Sequence, residues 1–106
     1  MIGYLRGKVL SLLPESVLLD VNGVGYEVMC SGAAFANLSG VKKGEEGELY
    51  TYLQVSEQGI ALYGFADLKE KELFLRLTSV QGVGAKLAIA ALSAMRPADL
   101  TEAIYT

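Results

Sequence analysis

Histidine and tryptophan are absent from this chain, cysteine occurs once and proline twice. The lack of histidine removes the commonest general base and the commonest metal ligand together. Cys30 has no second thiol to pair with, which excludes an intrachain disulfide and a multi-thiolate metal site. No metal, cofactor or catalytic residue is therefore expected. Long apolar runs are also missing: none approaches the ~20 residues of a membrane span. The opening Met1-Ile2-Gly3-Tyr4-Leu5-Arg6 lacks the basic-then-apolar order of a signal peptide and reads as the start of a strand. A cytoplasmic location without a membrane partner follows by default. Nor is there an excess of positive charge, since nine Lys and Arg stand against twelve Asp and Glu, for a formal charge of −3. The deficit lies in residues 1–66, with four basic and seven acidic groups, whereas residues 67–106 carry five of each. A nucleic-acid binder usually carries a basic excess. The neutral second part could still hold phosphate through backbone amides, but only weakly per copy and so in many copies.

What is present is apolar and patterned. With 52% hydrophobic residues, 106 residues suffice for one ordinary domain or two very small ones. The hydrophobic period changes near Phe65-Ala66-Asp67. Before it, alternation predicts strands over residues 2–12, 16–21, 25–30, 48–55 and 60–65. Pro14-Glu15 turns the first pair, Asn22-Gly23 is a strong type I′ hairpin signal for the second, and Ser56-Glu57-Gln58-Gly59 joins the last two. Ser31 can cap a short helix over residues 32–38 that ends near Gly40. Five strands with a short helix between the third and fourth is the order of an OB-fold barrel, although other small barrels share it.

After the change the chain is helical. Asp67, followed by Glu70, fits a capping box, and Leu68, Leu73, Phe74, Leu75 and Leu77 are expected to form a buried face. A second helix should run from about Gly84 to about Met95. Pro97 suits the first position of a third helix with a face of Leu100, Ala103 and Ile104. The pattern then stops at Thr106 in mid-helix, as expected of a fragment. The fold class is thus α+β: an OB-fold barrel over residues 1–65 and an all-α unit over residues 66–106. Each is too small to bury much surface alone, so they should pack on each other or on further copies.

The densest local signal is Val80-Gln81-Gly82-Val83-Gly84-Ala85-Lys86-Leu87-Ala88, a glycine-bracketed turn between two helices. Gly82 and Gly84 could take positive φ and let a ligand come close. A helix starting at Gly84 would aim its unpaired N–H groups and the positive end of its dipole at one point. Lys86 would add a full charge, and Val83, Leu87, Ala88, Ala91 and Leu92 would pin the turn from inside. This is the pattern of a helix-hairpin-helix, a phosphate-holding device. The same Gly-x-Gly also serves as a plain corner between two helices.

Taken in order, Met1-Ile2-Gly3-Tyr4-Leu5-Arg6-Gly7, Gly23-Val24-Gly25-Tyr26-Glu27-Val28, Leu62-Tyr63-Gly64-Phe65 and Gly82-Val83-Gly84-Ala85-Lys86 closely resemble the RuvA family, the Holliday-junction-binding subunits of bacterial branch-migration complexes. The resemblance implies a non-catalytic scaffold in recombination and DNA repair. It implies a homotetramer holding a four-way junction open, with eight-subunit shells also known in the family. It further implies work alongside a RuvB-type AAA+ ATPase motor and a RuvC-type resolvase through the full-length protein. By position, Gly82, Val83, Gly84 and Lys86, with Gln81 beside them, would contact minor-groove phosphates. Glu57 and Gln58 fall where the family places its acidic pin, with Gln58 standing where a second acid is usual. A second hairpin and a motor-binding domain of the family have no counterpart here.

Two other classes remain open from the residues alone. A helix-hairpin-helix repair enzyme would need a nucleophilic lysine with an activating acid, or clustered carboxylates for a metal. Lys86 could be the lysine, but Asp67 and Asp99 sit at helix starts, where capping explains them. A protein-interaction barrel is the third reading. The chain lacks Gly-x-x-x-x-Gly-Lys-[Ser/Thr], so it cannot itself draw on a nucleotide by that motif.

Overall fold

The first strand is too long to pair with a single neighbour, and it is bent to serve two. In the computed structural model, which describes residues 1–94, β1 (Tyr4–Leu13) pairs antiparallel with β4 (Glu46–Ser56) through its first half and with β2 (Ser16–Val21) through its second. The register shifts between Val9 and Ser11. Such a bulge adds local bend and twist, which lets one strand turn a barrel corner. β2 continues into β3 (Val24–Cys30) through Asn22 and Gly23, at φ 53° and 88°. Positive φ at both positions is the type I′ geometry that matches strand twist. The Asp20 carboxylate accepts from Gly23 N–H at 2.8 Å and braces the turn.

β5 (Gly59–Phe65) pairs antiparallel with β4 and, in parallel, with the end of β3, closing a barrel in the order β1-β2-β3-β5-β4. The closure is tight at Gly64. A Cβ there would lie 2.7 Å from Val28 Cγ1 and 3.0 Å from Leu49 Cδ1. Inward residues from every strand, among them Leu5, Val9, Leu19, Val28, Leu49 and Leu62, form the barrel core. α1 (Gly32–Leu38), between β3 and β4, adds Ala34 and Leu38 to that core. Ser31 is its N-cap, accepting from Ala34 N–H at 3.2 Å. The chain is thus α+β with an OB-like N-terminal part. α1 ends at Leu38 with Ser39 as an αR cap, and Gly40 takes no positive φ. The Ser39 hydroxyl ties back to Phe35 O at 2.7 Å, so a side chain, not a left-handed glycine, closes this helix.

α2 (Leu68–Thr78) and α3 (Ala85–Ala94) pack on the barrel through a second cluster, as expected of two parts too small to stand alone. Phe74 is its centre, fully buried, with ring centroids 4.8 Å from Phe65, 5.5 Å from Tyr63 and 5.8 Å from Tyr52. Leu73, Ala88 and Leu92 complete it. Leu68 and Leu75, expected on the buried face of α2, are exposed. The place on that face goes instead to Glu70, which is fully buried. Asp67 caps α2 by accepting from Glu70 N–H at 2.8 Å. The Glu70 side chain reaches back one residue past the cap, accepting from Ala66 N–H at 2.9 Å and from the Ser31 hydroxyl at 2.5 Å. One carboxylate therefore ties the start of α1 to the start of α2. A second tie joins α1 to α3, where Gly32 N–H donates to Ser93 Oγ at 3.0 Å. The expected end of α3 at Met95 and the helix after Pro97 lie outside the described residues.

Candidate functional site

The turn between α2 and α3 is built by exhausting the hydrogen bonds of one helix before the next begins. Thr78 and Ser79 return their hydroxyls to the last carbonyls of α2, Ser79 Oγ to Arg76 O at 2.6 Å. Val80 N–H still reaches Leu77 O at 3.2 Å, and Val83 N–H closes a four-residue turn on Val80 O at 3.0 Å. Gly82 occupies the third position of that turn at φ 88°, a conformation that disfavours any side chain there. Gly84 does not share this feature, contrary to expectation: its φ is not positive, and an added Cβ would meet nothing within 4 Å. Its backbone would accept another residue, so what glycine provides there is open space in front of α3.

The first bond of α3 runs from Ala88 N–H to Gly84 O at 3.0 Å. The amides of Ala85, Lys86 and Leu87 precede it and have no intrahelical acceptor. Among the described residues no side chain caps them, and the first turn of α3 holds no acid. Uncapped amides and the positive end of a helix dipole stabilise an anion at this point, and Lys86, in the same first turn, is exposed. The turn is held from below by Val83, Ala85, Ala88, Ile89 and Leu92 on the second cluster. Leu87, expected among these, is 58% exposed. Gln81, Gly82, Gly84 and Lys86 are exposed and Val83 is half-buried against the second cluster; of the five, Val83 and Gly84 line the groove at the turn, whereas Lys86 lines a different one.

Sequence reasoning missed the wall opposite this turn. Tyr52 and Gln54 of β4 line a groove of about 260 Å³ together with Thr78, Val83 and Gly84. Their period-2 spacing marks one strand face, but nothing in the sequence says which element lies over it. Lys86 instead lines a second groove, with Glu15, Cys30 and Ile89. Cys30 is buried, and desolvation pushes its thiol up to about 11, leaving it in the unreactive thiol form at neutral pH.

Glu57 and Gln58 form the two-residue tip of the β4–β5 hairpin, after the Ser56–Gly59 pair. Gly59 takes φ 131°, and Gln58 N–H donates to Ser56 Oγ at 3.3 Å. Both tip side chains are exposed. They end the hairpin whose β4 strand walls the groove, and neither lines it. No helix among the described residues is long and apolar enough to cross a membrane.

Comparison with known proteins adds a lineage to this geometry. The sequence model of the family described as RuvA N terminal domain matches residues 1–64. The Holliday junction branch migration complex subunit RuvA of Bdellovibrio bacteriovorus is 43% identical over 104 residues, covering 98% of this chain and 53% of the relative. The proteins of the same name from Cytophaga hutchinsonii and Chlorobium luteolum are 42% and 44% identical, each over 98% of this chain and 51% of the relative. The chain spans about half the length of the curated relatives it matches. By a family match that takes in the whole barrel up to Gly64, it belongs to the RuvA family, through that family's N-terminal domain.

Proposed function

We propose that this chain binds four-way junction DNA as a non-catalytic scaffold, and that the α2–α3 turn is a helix-hairpin-helix contacting backbone phosphates. The observation that carries the reading is the uncapped N-terminus of α3, presented by the Gly82 turn with Lys86 in its first helical turn. The amides of the Gly84–Lys86 stretch receive phosphate oxygens, Lys86 adds charge, and Gln81, Gly82 and Val83 shape the approach. Backbone amides read phosphates and not base edges, so recognition is of DNA shape and not of sequence. The relatives' shared name, a subunit of the Holliday junction branch migration complex, supports the same reading.

In this reading residues 1–65 form the oligomerisation barrel and residues 66–106 the DNA-binding unit. A chain with a formal charge of −3 gains too little per hairpin from phosphate contacts, and a homotetramer multiplies those contacts around one junction. Glu57 then stands as the acidic pin near the four-fold centre, repelling phosphates, with Gln58 reducing its charge to one carboxylate per copy. A RuvB-type motor and a RuvC-type resolvase act on the junction so held, in the cytoplasm.

A gel-shift comparison of a four-way junction with a linear duplex of the same arms tests this directly, using the wild-type chain and Lys86→Ala. Preference for the junction, weakened by Lys86→Ala, supports the reading. Equal binding to both substrates, or junction binding indifferent to Lys86, would overturn it. Association with proteins alone would point to the interaction-barrel alternative.

A further inference from the structure

One chemically reactive pair plays no part in the junction reading: Asn22 and Gly23, the two-residue loop of the β2–β3 hairpin. An asparagine side-chain amide followed by glycine is open to attack by the glycine's own backbone nitrogen, because no side chain shields that nitrogen. In the folded chain two features hold the attack back. Asn22 sits at φ 53°, in the left-handed region, where Cβ points almost opposite to the next backbone nitrogen and cannot close a five-membered ring on it. Gly23 N–H, which must give up its proton to attack, donates to the Asp20 carboxylate at 2.8 Å, and that charge opposes a second negative charge on the nitrogen. Access is not the obstacle. Asn22 and Gly23 are both exposed, and a Cβ added at Gly23 would meet nothing within 4 Å.

We propose that Asn22 is a deamidation site which the folded turn keeps closed and which each opening of the hairpin exposes to reaction. In the open hairpin Gly23 N loses its proton and its lone pair forms a bond to Asn22 Cγ. The Cγ–Nδ2 bond breaks, and the departing nitrogen takes up a proton and leaves as ammonia. Water then opens the cyclic imide at either carbonyl, its oxygen completing a new carboxyl group while Gly23 N regains a proton. Opening at Cγ gives aspartate. Opening at the Asn22 backbone carbonyl gives isoaspartate, in which the main chain runs through Cβ and Cγ. No electrons are gained or lost. Isoaspartate carries one extra backbone methylene, for which a two-residue type I′ loop has no room. The turn that sets the β2–β3 register then cannot re-form, and β2 is the strand that joins β1 to β3 in the closed barrel. The modification thus turns a passing opening of the hairpin into a permanent one. Aspartate, the milder product, still adds a carboxylate to a groove where Asp20 and Glu46 already stand beside Arg6 and Lys8. The other asparagine, Asn37, lies in α1 ahead of the bulky Leu38 and serves as the internal reference.

The test holds the full chain at pH 8 in heavy-oxygen water, folded and in urea, and then digests it with trypsin, which releases residues 9–42 as one peptide carrying both asparagines. Mass spectrometry reads heavy-oxygen uptake at Asn22 against Asn37, and chromatography separates isoaspartyl from aspartyl product. Unfolding in urea and Asp20→Ala both free Gly23 N–H from a hydrogen bond to a charged group, so each should speed the loss of Asn22 about tenfold or more relative to the folded wild-type chain. Asp20→Asn keeps an accepting oxygen and should speed it less, and it carries the test if circular dichroism shows that Asp20→Ala does not fold. Isoaspartate should be among the products. A wild-type chain that deamidates as fast folded as in urea would overturn the proposal, as would Asp20 variants no faster than the wild-type chain. Aspartate as the sole product, or equal loss at Asn22 and Asn37 in urea, would overturn the ring-closure chemistry itself.

Discussion

Replacing Glu70 should uncouple the helices from the barrel. Its side chain is fully buried, and Oε1 alone accepts two hydrogen bonds, from Ala66 N–H and the Ser31 hydroxyl, while Oε2 has no partner among the described residues. Glu70→Ala leaves two donors unpaired in a dry site at about 1–3 kcal/mol each and opens a cavity, for a loss of about 3–5 kcal/mol. That is a large share of the ~5–15 kcal/mol typical of a small domain. Glu70→Gln keeps the accepting oxygen and the shape, and adds an amide N–H in place of the unpartnered oxygen, so its cost should be about 1–2 kcal/mol. Ser31→Ala removes the α1 cap, worth about 1 kcal/mol, and one of the two donors to Glu70. A double-mutant cycle between Ser31 and Glu70 should therefore show a coupling of about 1–2 kcal/mol. Urea denaturation followed by far-UV circular dichroism, with tyrosine emission reporting on Tyr52 and Tyr63 beside Phe74, measures every corner of the cycle. Coupling within about 0.5 kcal/mol of zero, together with a Glu70→Ala cost no larger than that of Glu70→Gln, would refute the idea that this carboxylate joins the two parts.

Two glycines of the turn should separate backbone need from ligand space. Gly82→Ala forces a side chain into positive φ and should cost about 1–2 kcal/mol in denaturation, whereas Gly84→Ala should cost less than about 1 kcal/mol yet weaken junction binding in anisotropy titrations, because its methyl stands where phosphate approaches. Burial should make Cys30 slow to alkylate with iodoacetamide in the native chain at pH 8 and fast in denaturant, as read by mass spectrometry. Since folding raises its pKa from 9.0 to about 11, the associated stability is fully present below pH 9 and should be lost as the pH climbs through about 11, so the fall in melting temperature over that range should be shallower in Cys30→Ala than in the wild-type chain.

The elements that local chemistry dictates were legible in the sequence. Asn22-Gly23 announced its hairpin, Ser31 and Asp67 announced their helix starts, and period-2 alternation marked all five strands to within two residues at each end. What eluded the sequence depends on neighbours distant along the chain. Leu68, Leu75 and Leu87 read as core beside Phe74 and Ala88, but the barrel offers one docking face, which takes Phe74, Ala88 and the unforeseen Glu70 and leaves the three leucines exposed. A buried glutamate cannot be foreseen when its partner, Ser31, lies 39 residues away. The turn itself was visible from its glycines, though only geometry separates Gly82, whose φ is positive, from Gly84, whose φ is not. Val55 and Ile60 read as the ends of their strands, but nothing local tells that both would stand exposed there.

The central claim is that the α2–α3 turn holds phosphate in several copies at once, and the salt dependence of junction binding tests it most directly. Each phosphate contact contributes about −0.9 to the slope of log K against log salt. If four hairpins engage one junction, Lys86→Ala should flatten the slope by roughly 3–4, against roughly 1 for a single engaged copy. A slope unchanged by Lys86→Ala would contradict the account, because the lysine at the start of α3 would then be meeting no phosphate.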